Sequence, residues 1–474
     1  MAVRALAGGE QHHSGHVLTD WNPENKTFWE HEGRRIAIRN LWISIPALLL
    51  AFAVWMVWSV VVVNLPNIGF GFSTSQLFML AALPGLSGAT LRIFYSFLVP
   101  IFGGRRWTVI STASLLFPAI GIGLAVQNPG TPYWIFLSLA LLCGLGGGNF
   151  ASSMANISFF FPQSQKGMAL GLNAGLGNLG VSTVQFVVPL VITSSVFGAF
   201  GGAHQTWVKG GLIQAMWLQN AGFIWVPFIL LCTLAAWLGM NDIASAKASF
   251  RAQSVIFRRK HMWLMSWLYL GTFGSFIGYS AGLPLLIKSQ FPHIDPMQYA
   301  FLGPLVGALA RPLGGWMSDK VGGARVTLWN FVAMALAVVG VLNFLPAAAQ
   351  AGSFAGFLTM FMLLFLTTGI GNGSTFRMIP AICLYTYLRD LEESGVEAIP
   401  EQTSREPTMR AAAVLGFSSA LAAYGAFFIP KSFGTSIALT GRPLAALYMF
   451  LVFYATCIAV TWWYYARKNP EVPC

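Results

Sequence analysis

Three arginines, Arg92, Arg311 and Arg377, stand inside long apolar stretches that contain no Asp, Glu or Lys to neutralise them. Composition decides whether those stretches are a soluble core or membrane spans. Charged residues make up 9% of the chain and hydrophobic ones 56%, with a mean hydropathy of +0.65, whereas soluble domains average about 25% charged. The chain reads as a polytopic membrane protein. A charge at bilayer depth costs roughly 2.5–3.5 kcal/mol or more, so each unpaired guanidinium must meet something anionic. The sequence holds no such partner at depth, which points to a substrate as the missing counter-charge.

Windows of roughly 20 apolar residues give about twelve spans, at 42–64, 76–100, 107–126, 133–160, 167–193, 216–239, 261–286, 297–318, 326–346, 354–386, 411–434 and 443–466. The polar first 40 residues lack a short apolar region followed by a small-residue cleavage site, so a cleaved signal peptide is not expected. Of the 27 Lys and Arg, only Lys209, Lys288, Lys431 and Arg442 fall on the side opposite the termini. Three more are the intramembrane arginines, and the remainder share the side of both ends. That asymmetry places both termini in the cytoplasm with an even number of spans. It also accounts for the net charge of +12, which in a soluble protein would suggest nucleic acid but here is inside-loop bias. Cys143, Cys232, Cys383, Cys457 and Cys474 are scattered, four of them within spans, and indicate neither a disulfide frame nor a metal knuckle.

Internal repetition supplies the architecture. An offset of 219 superposes Arg92 on Arg311, Gly103-Gly104 on Gly322-Gly323, Arg106 on Arg325 and Thr108 on Thr327. A second offset, 225, superposes Gly144, Gly146 and Gly148 on Gly369, Gly371 and Gly373. Spans two and four thus repeat as spans eight and ten. The expectation is an all-α membrane protein of twelve helices in two pseudo-symmetric six-helix halves. The divisions are a cytoplasmic segment 1–41, a first bundle 42–240, a linker 241–260, a second bundle 261–466 and a tail 467–474. Parallel repeats of this kind relate by an axis along the membrane normal, with substrate at the midplane between them.

The run from Gly314 to Arg325, with Asp319, Gly322 and Gly323, resembles the loop after spans two and eight that marks the major facilitator superfamily. In the first half Pro100 stands where the second has Asp319. Two longer motifs, Gly171-Leu-Asn-Ala-Gly175-Leu-Gly177-Asn178-Leu-Gly180-Val-Ser182 and Gly369-Ile-Gly371-Asn372-Gly373-Ser-Thr-Phe376-Arg377-Met-Ile-Pro380, resemble the nitrate signatures of the nitrate/nitrite porter family, the NarK and NarU type. The likeness extends to Asp20-Trp21-Asn22-Pro23-Glu24 and Arg39-Asn40-Leu41-Trp42. It implies exchange of nitrate and nitrite across the bacterial inner membrane, and the expectation set beside it is a monomer with no cofactor and no metal. By position it also implies a clamp of Arg92 and Arg311 walled by Phe150, Tyr269 and Phe273. Arg377 is left outside that common site.

The residues support the same conclusion on physical grounds. Nitrate is planar and weakly basic, and two guanidinium forks can meet its oxygens edge-on. Arg suits this better than Lys, because its donors are coplanar and it stays protonated. Aromatic walls exclude water and strengthen the contact. The bland alternative for Arg92 and Arg311 is anchoring to carbonyls or snorkelling to the interface. For Arg377 that alternative is at least as strong, since it lies near the cytoplasmic end within reach of Asp319 or Asp390. Asn178 and Asn372, amides at lipid depth, are candidate ligands. Asp319, Arg325, Gly171, Gly175, Gly371 and Gly373 are candidate gating residues. Gly167, Gly171 and Gly175 recur every four residues, a pattern that most simply means close helix contact.

Other chemistries fail their context tests. Gly175-Leu-Gly177-Asn-Leu-Gly180 spells a dinucleotide fingerprint but lies inside a span, with no strand before it and no acid about twenty residues on. No phosphate-binding loop of the Gly-Lys-Ser/Thr type occurs, and nothing marks the chain as an enzyme. His12, His13 and His16 cluster in a polar tail and read as a solvated segment rather than a metal site. The 15 acids read as lying in tails and loops, which disfavours proton coupling through a membrane-embedded carboxylate. Anion-for-anion exchange is the simpler account, with a proton–nitrate symporter, and more remotely an anion channel, as alternatives.

Overall fold

The computed structural model describes residues 16–209, 212–244, 259–347, 351–394 and 400–474. His12, His13 and most of the expected linker, 245–258, lie outside them. Eleven helices among the described residues are long and apolar enough to cross a membrane: α1 (Lys26–Ile68), α2 (Thr74–Phe102, apolar over Thr74–Tyr95), α3 (Gly104–Ala125), α4 (Tyr133–Phe160), α5 (Gln163–Val191), α6 (Asn220–Gly239), α7 (Lys260–Gln290), α9 (Gly323–Phe344), α10 (Phe354–Ser394), α11 (Ala413–Thr440) and α12 (Leu444–Ala466). The twelfth, α8 (Leu302–Val321), is 20 residues long. Its Arg311, Asp319, Lys320 and glycines hold its hydropathy down, although it packs with α10 and α9 like the others.

Several boundaries differ from the sequence expectation. The first helix begins at Lys26, so the expected 1–41 segment is not wholly outside the bundle. Asn25 starts it, its side chain accepting from the Phe28 amide. Trp21 Nε1 donates to the Phe159 carbonyl at 3.0 Å. Glu24 Oε1 accepts from the Gln163 amide at 2.9 Å and so caps α5. Glu30, Glu32, Asp319, Asp390, Glu392 and Glu393 stand on helices rather than in tails or loops, all near helix ends.

Two small sheets complete the fold. Strand β1 (Val17–Leu18) pairs in parallel with β4 (Asp242–Ile243), fastening the N-terminal segment to the end of α6. Strands β2 (Gln205–Lys209) and β3 (Leu212–Met216) form an antiparallel hairpin between α5 and α6.

Helix interruptions fall where packing needs them. The α7 backbone widens into a π-helical turn at Leu270–Gly274, an irregularity that often marks functional segments because it re-aims side chains. It carries Phe273 and directly follows Tyr269. The α11 ladder breaks at Tyr424, between Ala423 and Gly425.

Candidate functional site

Both offsets found in the sequence are real contacts. A Cβ on Gly144 of α4 would stand 2.6 Å from the Gly88 amide of α2, and one on Gly369 of α10 would stand 2.2 Å from the Gly307 carbonyl of α8. These positions are paired by the offsets of 225 and 219. Each arginine-bearing helix is therefore pressed backbone to backbone against a glycine-rich neighbour. The press reaches Arg311 itself, since a Cβ on Gly373 would stand 2.1 Å from the Arg311 carbonyl.

Arg92 is fully buried. Its Nε donates to the Gly147 carbonyl at 2.9 Å and its Nη1 to the Ser419 carbonyl of α11 at 3.1 Å, so it bridges the two halves. Its guanidinium carbon lies 4.7 Å from the Phe150 ring centre, 5.2 Å from Trp55 and 5.4 Å from Phe273. Nη2 has no partner. Arg311 is 7% exposed, lies 5.1 Å from the Phe376 ring and leaves Nη1 unpartnered. None of the ion pairs among the described residues involves either arginine.

An aromatic series connects them. Phe150 stacks on Phe273 across the halves with centroids 6.4 Å apart, and Phe273 stacks on Tyr269 at 5.6 Å. Tyr269 is buried and lies close enough to both arginines to feel their charge. The arrangement offers donors from each half and a low-dielectric wall between them, which suits a small planar anion.

The other expected residues divide. Asn178 and Asn372 are buried, and each carries a side-chain oxygen without a partner. Gly371 packs against Thr272 of the π-helical turn. Gly177 and Gly180 press on Leu48 and on the Leu49 carbonyl of α1, but Gly167, Gly171 and Gly175 meet nothing within 4 Å. Close helix contact is thus the wrong account of those three, which line open space. Arg377 makes a 2.6 Å ion pair with Asp319, its side chain 60% exposed, and so stands apart from the buried pair. Arg325 is exposed at the start of α9.

Sequence reasoning missed the cross-half bonds. Gln185 Nε2 on α5 donates to Ser59 Oγ at 3.0 Å and to the Ser280 carbonyl of α7 at 2.7 Å. Its signal was a lone amide in an apolar run. Thr90 Oγ1 and Tyr424 Oη lie 2.9 Å apart. The Ser419 carbonyl that takes Arg92 is main chain and has no signature in side-chain identity.

These bonds define the conformation. Along α2 and α11, Phe78 meets Gly434, Gly85 meets Ala426, Thr90 meets Tyr424 and Arg92 meets Ser419, after which Gly416 meets nothing within 4 Å. Along α5 and α8, Phe186 packs on Phe301 with centroids 5.2 Å apart. Further along the same helices, Gly175, Gly171 and Gly315 face open space. The halves meet at the end that holds Phe78 and Phe301 and part beyond Arg92.

Two repeated six-helix halves, closed at one end around buried charge, define a secondary transporter of the alternating-access kind. Residues 47–395 match the Major Facilitator Superfamily. The chain is 54% identical to "Nitrate/nitrite transporter NarU" of Salmonella typhimurium over 97% of its length and 98% of that protein. It is 44% identical to "Probable nitrate/nitrite antiporter NarK2" of Thermus thermophilus over 97% and 99%. Among solved structures, an inward-facing, occupied bacterial homologue of the human lysosomal transporter Spinster aligns with a TM-score of 0.60 at 14% identity, over 90% of this chain and 96% of that one. The chain belongs to the nitrate/nitrite porter family of the major facilitator superfamily and is a multi-pass membrane transporter.

Proposed function

We propose that the protein exchanges nitrate and nitrite across the bacterial inner membrane by alternating access, with the anion held between Arg92 and Arg311. The observation that carries this reading is the pair of buried guanidinium groups, one from each half, each with an unpartnered nitrogen. Leaving such groups unsatisfied in a low-dielectric site costs free energy that an anion would recover. Phe150, Tyr269 and Phe273 form the wall, and Asn178 and Asn372 supply dipoles to the path. Anion occupancy offsets the repulsion between the arginines and lets the halves rock, while the empty site resists closure. Gly171, Gly175, Gly371, Gly373, Asp319 and Arg325 serve the gating surfaces. The names of the relatives support the substrates, and the inside bias of Lys and Arg supports cytoplasmic termini. The functional unit is a monomer in the lipid bilayer, with bundles 42–240 and 261–466.

Counterflow in proteoliposomes tests the proposal. Internal nitrite should drive nitrate uptake between about pH 6 and 8 with little response to an imposed proton gradient, because the spans read from the sequence carry no Asp or Glu. Nitrate accumulation driven by a pH gradient in vesicles without internal anion would favour the symporter instead.

A further inference from the structure

The turn between α2 and α3 and its repeat between α8 and α9 share one backbone. Gly103 and Gly322, paired by the offset of 219, take φ of +87° and +97°, values that suit glycine. Each turns the chain into a helix whose first amides lack helical partners. At the second turn the Ala324 amide donates to the main-chain oxygen of Cys474 at 3.2 Å. At the first, the Arg105 amide, the counterpart of Ala324, donates to the Asp242 carboxylate at 2.7 Å. A Cβ on Gly103 would stand 2.4 Å from Asp242 Oδ1, and on Gly322 the nearest atom is the same Cys474 oxygen, at 3.5 Å. In each half, the segment that follows the sixth helix occupies the same place over the turn.

The halves differ in the charge they bring to that turn. The second has Asp319 paired with Arg377 of α10. At the matching positions the first has Pro100 and Ser152, so both members of that pair are missing together. The buried carboxylate at the first turn comes from Asp242, 7% exposed. Asp242 is itself held, since its amide donates to the His16 carbonyl at 2.9 Å. Neighbouring Asn241 accepts from Arg39 Nη2 at 2.8 Å and exchanges bonds with the Asn40 side chain. The Arg105 side chain adds a bond to the Trp237 carbonyl of α6 at 2.8 Å and lies 4.4 Å over the Trp237 ring. A carboxylate at a helix N-terminus is a charge-assisted cap favoured by the helix dipole.

We propose that Asp242 is a positioning residue for transport. It ties the α2–α3 turn to the end of α6 and to the N-terminal segment, so that α2, with Arg92, moves as one body with the first half. It does so where the second half uses Asp319 and Arg377. The proposal rests on the transport reading above, and wild-type counterflow separates the two, because absence of nitrite-driven nitrate uptake by wild type would strike that reading alone.

The experiment compares Asp242→Asn, Asp242→Leu and Gly103→Ala in the full-length protein, reconstituted with nitrite inside and scored per molecule in the membrane. Asn keeps an acceptor oxygen, so its exchange should stay within about twofold of wild type. Leu removes the cap, and Gly103→Ala displaces it while leaving Asp242 in place. Each should lower the maximal rate by about fivefold or more, with nitrate KM held within about twofold. If the Leu variant does not reach the membrane, Gly103→Ala carries the same expectation. Equal losses in Asn and Leu, wild-type rates in both Leu and Gly103→Ala, or a loss confined to KM would overturn the proposal.

Discussion

The outer and inner ends of the contact between the two halves use the same helices in opposite ways. At the closed end, α2 and α11 touch backbone to backbone at Gly85 and Ala426, and Gln185 spans from α5 to α7. At the other end α5, α8 and α11 present bare glycine, with Gly171, Gly175, Gly315 and Gly416 facing open space. Arg92 stands at the border, its Nη1 on Ser419 the innermost of the α2–α11 contacts described above. Packed glycine holds one end shut and unpacked glycine leaves room for the other end to close. The charged site lies where one regime becomes the other, which is where rocking must alternately expose it.

The comparison breaks most severely at Gly85. A Cβ there would stand 2.4 Å from the Ala426 carbonyl carbon, and overpacking of that kind costs about 1–3 kcal/mol. Gly85→Ala should therefore pry the outer end open, cut exchange about tenfold and raise cysteine labelling from the extracellular side. Gly175→Ala meets nothing in this conformation. It should leave the protein as heat-stable as wild type or more so, by up to about 1 kcal/mol from helix propensity, yet slow exchange because the open end must close over it. Wild-type exchange by Gly175→Ala would show that this face never packs.

Gln185→Leu should act more gently. Losing the bond to Ser280 is worth about 1 kcal/mol, so distances between labels on the extracellular ends should report a shift of about fivefold toward the open outer side. The smallest effect belongs to the turn between α8 and α9. Asp319 and Arg377 are both exposed, and such pairs contribute about 0–1 kcal/mol. Asp319→Asn should slow exchange by about threefold or less and shift the resting state away from this conformation, in which the pair is formed, with Pro100→Ala altering it less still. Equal inward-to-outward ratios in wild type and Asp319→Asn would remove Asp319 from the gate.

Much of this was legible in the chain. Apolar run length locates all twelve spans, and the register of α8 with α2 supports the one whose own hydropathy is lowest. Arg92 and Arg311 were visible because a charge in an apolar run demands a partner. The open glycine face was misread because spacing of four residues marks a smooth surface without saying what lies opposite. The Asp242 cap was hidden for a different reason: Asp242 and Arg105 are 137 residues apart, and the acceptor meets a main-chain amide that any residue would supply. Arg377 is set apart from its two companions already by its place near the end of its span, within reach of Asp319, and the exposed ion pair between the two bears this out.

The central claim is that two planar donors, one per half, hold the anion. Nitrate binding and nitrite-driven exchange by Arg92→Lys and Arg311→Lys test it most directly, since Lys keeps the charge but cannot present paired coplanar donors. Both variants should insert in the membrane and lose most nitrate binding and exchange. Arg92→Lys should also loosen the halves, having lost the bond to Ser419. Near-normal nitrate affinity and exchange in both would contradict the clamp.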